Sequence, residues 1–138
     1  MTALTEPIRE ALTAGRLAHV VTVNPDGSPQ VSIVWMGIED DEIVIATLGD
    51  GHRTRNLARD PRVVISVELD GKNEVGLNNY LVIRGTARIT DGGAADLLHR
   101  LAQIYIGPGT KFPPMDDPPP GRVVHIAVDR VSGVSPWT

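Results

Sequence analysis

The chain has 138 residues, a formal charge of -4 and no cysteine. That length suits one domain with one real core, and the acidic balance argues against a general nucleic-acid or membrane-surface binder. The lack of cysteine excludes disulfides, thiol catalysis and cysteine-ligated zinc or iron–sulfur centres.

Thr5 is placed to cap a first helix, with Pro7 in its first turn, Ile8, Ala11 and Leu12 at helical spacing and Gly15 as the stop. Charges at Glu6, Arg9 and Glu10 interrupt this stretch, so it reads as neither a signal peptide nor a membrane span, and a cytoplasmic protein is expected. "LAHVVTVN", the turn "PDGS", "PQVSIVWMGI", the turn "EDD" and "EIVIATL" then predict a three-strand meander over residues 17–48. A short helix over about 52–60 ends before Pro61, and "RVVISVEL" resumes β-structure.

"DGKNEVGLNN" reads as a polar turn, and "YLVIRGTARIT" as a strand bent or bulged around Gly85. From about 93 to 106, Leu97, Leu98, Leu101, Ile104 and Tyr105 recur at helical spacing. Five prolines between residues 113 and 120 then forbid regular structure, giving a stiff surface loop from Gly107 to Gly121 that suits a lid or substrate wall. The alternating run "RVVHIAVDRVSGVSPW" closes the chain with a strand. Six or so antiparallel strands with short helices imply a mainly β fold, a small barrel by preference over an open α+β sheet, in a single domain of residues 1–138.

The chemistry concentrates in "GDGHRTRNLARDPRV". Arg53, Arg55, Arg59 and Arg62 stand within ten positions of one another in an acidic chain, and Arg55 and Arg59, four apart on a helix, repel. Unpaired N–H groups at the helix start favour an anion, and Arg53 in the first turn opposes the helix dipole and asks for compensation. A phosphate held by these N–H groups, the Thr47 or Thr54 hydroxyls and one or two arginine forks supplies it. A solvated basic face paired with Asp50, Asp60 and Glu68 is the other reading. His19, His52, His99 and His125 lie in four different elements without metal-ligand spacing, so no metal site is expected. The serines form no nucleophile-elbow pattern. In "SIVWM", Val31, Ile33 and Trp35 face one way and Ser32, Val34 and Met36 the other. Trp35 and Trp137 offer surfaces for a planar ring, or are plain packing.

Taken together, "LAHVVTVNPDGSPQVSIVWM", "EIVIATLGDGHRTRNLARDPRVVISV" and "YLVIRGTARIT" resemble the pyridoxamine-phosphate-oxidase-like split β-barrel proteins, and more narrowly the actinobacterial flavin/deazaflavin oxidoreductases that use coenzyme F420. An arginine-rich, lysine-poor composition hints at a high-GC bacterial coding sequence, and the resemblance implies an actinobacterial source. The resemblance implies a cytoplasmic homodimer with two cofactor sites at the subunit interface. It implies that Arg53 and Arg55 grip the cofactor phosphate, with Thr47 and Asn56 as helpers. The strand carrying Ser32, Val34, Trp35 and Met36 would lie along the ring system, and Trp137 would contribute from the partner. The strand has no arginine at its start and the chain ends "VSPWT", departures that argue against pyridoxamine-phosphate oxidase activity itself. The expected activity is hydride transfer from reduced F420 to an electron-poor small molecule. Flavin mononucleotide (FMN) is the alternative cofactor, and a non-catalytic cofactor or haem module, with His52 or His125 as axial ligand, the alternative class.

Overall fold

Period-two alternation along the β-rich runs does most of the architectural work, because each run has one apolar face to bury. The computed structural model describes residues 4–134. Its elements are α1 (Glu6–Leu12), β1 (Ala18–Val23), β2 (Pro29–Val34), β3 (Gly37–Glu39), β4 (Glu42–Thr47), α2 (His52–Arg59), β5 (Arg62–Lys72), β6 (Asn78–Asp91), α3 (Ala94–Tyr105) and β7 (Arg122–Val134). The strands form one antiparallel seven-stranded sheet in the order β2-β1-β5-β6-β7-β4-β3.

This order corrects the expected meander. "PQVSIVWMGI" is not one strand: β2 ends at Val34 on one edge of the sheet, and β3 begins at Gly37 on the other. The sheet curls until its edges approach, and Trp35 and Met36 carry the chain across. The inward residues Val20, Ile43, Ile45, Ile65, Leu81, Ile83, Val124 and Ile126 fill the barrel, with Leu12 and Ile8 of α1 packed against them. Outside the barrel, α3 covers β4 and β7 through Leu97 and Leu101 against Val44 and Val123. Each such leucine contributes about 1.5–3 kcal/mol by burial.

The bulge expected near Gly85 is present, as a register shift between Arg84 and Gly85 against β7. A Cβ at residue 85 would stand 2.6 Å from both the Ala127 carbonyl oxygen and Ile126 Cγ2, so only glycine allows the strands to meet. Thr5 does start α1, but through its carbonyl, which accepts from the Arg9 N–H at 2.9 Å; its hydroxyl makes no cap. Among the described residues no helix is long and apolar enough to cross a membrane.

Candidate functional site

The four arginines around α2 have four different fates. Arg62 forks onto Asp60, with Nη2 at 2.7 Å from Oδ2, and this pairing holds the Asp60 carboxyl at about 2. Arg59 donates to the Val23 carbonyl and leans on Asn56 Oδ1. Arg55 is exposed and donates to the Asp50 carbonyl at 3.1 Å, with its other nitrogen 3.4 Å from His52 Nδ1. Arg53 alone turns inward, behind the edge strand β2, where Nη1 donates to Ser32 Oγ at 3.2 Å.

Arg53 is the electrostatic anomaly of the molecule. Its Nε is buried without a hydrogen-bond partner, and among the described residues no carboxylate pairs with it. Burial pushes its pKa below the ordinary arginine value, though a guanidinium in a protein remains protonated. A half-buried cation lacking a counter-charge costs several kcal/mol. The helix adds no relief, since α2 has no side-chain cap and no acidic residue in its first turn, and its dipole presents positive charge there. Uncapped N–H groups, a guanidinium with a free donor and the Ser32 hydroxyl are together a donor set for a phosphate.

The other expected site residues divide. Thr54 is buried beneath α2, and Thr47, half-buried at the end of β4, donates to the Gly49 carbonyl at 3.0 Å. Asn56 differs from the helper role implied for it, because its amide is spent inside the protein. Nδ2 donates to Thr22 Oγ1 at 3.0 Å and to Asn24 Oδ1 at 2.9 Å, latching α2 onto β1. Asn56→Ala is expected to lower the unfolding free energy by about 1–3 kcal/mol in urea titration, because it orphans polar groups at a buried contact.

Met36 is likewise absorbed by the barrel core, at 1% exposure, and Val34 packs against the same cluster. Trp35 lies on the α3 side instead. Its ring stacks on Tyr105 at 5.3 Å and 13°, and Phe112 tilts against it at 5.1 Å. This triad fastens the proline-rich loop to the barrel, so packing accounts for the Trp35 ring. Of the strand expected to line a ring system, Ser32 is the residue that accompanies Arg53. Trp137 lies outside the described residues.

Two features had no signal in the sequence. Val31 and Ile33 of β2 are 55% and 58% exposed; the row from Val31 runs through Val21 and Val64 to Arg84, and the row from Ile33 runs through His19 and Ser66 to Val82, so the outer face mixes valines with polar side chains. Beside that face, a cavity of about 620 Å3 is lined by Arg16, His19, Ser66, Glu68, Asn79 and Tyr80 among others, and the Asn79 Oδ1 is buried without a donor.

Known proteins share this fold. A protein described as an F420 reductase superposes with a TM-score of 0.70 and 23% identity over 90% of this chain and 94% of that one. The conserved hypothetical protein Rv2991 from Mycobacterium tuberculosis gives 0.73 and 28% over 95% of this chain and 84% of its own. A heme binding protein from Mycobacterium smegmatis gives 0.64 and 20% over 96% of this chain and 55% of that one. A family model for pyridoxamine 5'-phosphate oxidase matches residues 4–135, and on the strength of that match the chain belongs to this family of split β-barrel proteins.

Proposed function

We propose that the protein is a homodimeric oxidoreductase that uses reduced coenzyme F420 to reduce an electron-poor small molecule. The observation that carries this reading is the buried, carboxylate-free Arg53 beside Ser32 at the uncapped start of α2. Family membership supports an oxidoreductase that binds a flavin or related cofactor. When bound, the reduced deazaflavin supplies a hydride from its ring carbon. The protein's own work is to bind, orient and exclude water. Arg53 and the first-turn N–H groups fix the phosphate, and Ser32 orients the guanidinium. The outer face that carries the exposed Val31 and Ile33, with Val21 and Val64 beside them and His19 and Ser66 in the row of Ile33, is the surface assigned to a second copy, which would cover the open side of β2 and shut water out.

FMN carries an equivalent phosphate, and the family match supports it as the second reading. Fluorescence titration of the purified protein separates them. Tight F420 binding with weak FMN binding is the expected result; the reverse preference moves the protein to the flavin branch, and binding of neither removes the clamp.

A further inference from the structure

Three strands adjacent in the sheet, β6, β7 and β4, bring together a hydroxyl, an imidazole and a carboxylate. Thr90 of β6 has its Oγ1 3.0 Å from Nε2 of His125 on β7. Glu42 of β4 has its Oε1 4.0 Å from Nδ1 of the same ring. With Nδ1 protonated on the side of Glu42, Nε2 is the nearer acceptor for the threonine proton, the Val123 carbonyl oxygen standing at 3.5 Å. Arg88 donates to Glu42 Oε1 at 2.7 Å and holds that carboxylate in place. The imidazole and the carboxylate are each 17% exposed, so both are shielded without being sealed.

The cluster opens into a cavity of about 380 Å3, lined by Thr90 and His125, by Gly92, Gly93 and Asp96 at the start of α3, and by the Glu39–Arg100 ion pair. Helix α3 is twelve residues long and has no side-chain cap. The Ala94 N–H is taken by the Pro120 carbonyl at 3.1 Å, but the next N–H groups of the turn have no backbone acceptor among the described residues. A nucleophile, a base and the uncapped start of α3 therefore border one space, with the Glu42 carboxylate on the far side of the imidazole and outside the cavity lining, an arrangement suited to acyl transfer.

We infer that Thr90, His125 and Glu42 form a second active site, which hydrolyses small uncharged carboxylic esters independently of the Arg53 site. The Thr90 oxygen attacks the ester carbonyl carbon as its proton passes to His125 Nε2. The bond to the alcohol oxygen breaks, and the alcohol leaves with that proton. Water, deprotonated by His125, then cleaves the acyl-threonine ester and restores the hydroxyl. The separation between Glu42 and His125 is longer than a working hydrogen bond, and such contacts tighten when substrate displaces water.

The test uses the full chain and p-nitrophenyl acetate. A burst of p-nitrophenolate with acetylation mapped to the peptide carrying Thr90 is the expected result. Thr90→Val and His125→Gln should each lower the rate by about 100-fold or more, with Thr90→Ser restoring it. Circular dichroism and melting temperature check that the variants fold. The wild-type acetylation map stands on its own if they do not. Acetyl groups found only on lysines, or a folded Thr90→Val protein that hydrolyses the ester at the wild-type rate, would overturn the assignment.

Discussion

Replacing Arg53 with alanine is expected to weaken coenzyme F420 by about 1.5–3 kcal/mol, roughly a 10- to 150-fold rise in Kd, since a hydrogen bond to a charged group contributes about that much. The free Nε and the Ser32-bound Nη1 define a fork whose remaining donors have no protein acceptor among the described residues. Arg53→Lys keeps the charge and loses the planar fork, so its loss should be intermediate. Arg55 is exposed and already engaged with Asp50 and His52, so Arg55→Ala should change Kd much less. Thermal stability gives an independent readout. Removing an uncompensated buried cation should leave the ligand-free protein as stable as before, or more so. An unchanged Kd in Arg53→Ala would show that the phosphate lies elsewhere even though the fold is right.

Ile33→Asp is expected to break the proposed dimer. A buried isoleucine contributes about 1.5–3 kcal/mol, and an isologous interface counts it twice, so the loss is about 3–6 kcal/mol before the desolvation of a carboxylate is added. Dimer Kd should rise by at least about 100-fold. Because Ile33 is 58% exposed on the isolated chain, folding of the subunit should be little affected. Sedimentation velocity over a concentration series measures this directly. A variant that sediments as the wild type does would remove this face as the interface, and a monomer that still binds F420 tightly would remove the need for a partner at the cofactor site.

Much of the fold was legible because it depends on local rules. Leu97 and Leu101 mark the buried stripe of α3, Pro61 marks the end of α2, and Gly85 marks a place where side chains are excluded. The division of "PQVSIVWMGI" was not legible. From Ile33 to Met36 it carries no turn residue, and the break at Trp35 is imposed by closure of the barrel. At the site, the sequence supplied the arginines but not their partners. Arg59 answers to Val23 and Asn56 to Thr22, contacts between residues 36 and 34 positions apart that no helical pattern encodes. The same holds for Trp35, whose ring is claimed by Tyr105 and Phe112 from segments far along the chain.

The sheet order also governs when the molecule can assemble. Strand β7, the last in the described chain, lies between β6 and β4. Until Arg122–Val134 has been synthesised, the β3–β4 hairpin has nothing to pair with on its inner side, and β6 presents a second open edge. The hairpins β1–β2 and β5–β6 can form early, yet the barrel cannot close around its core before that strand arrives. Between the completion of β6 and the arrival of β7 the nascent protein therefore carries two adhesive edges, and its commitment to the native state comes late and nearly all at once.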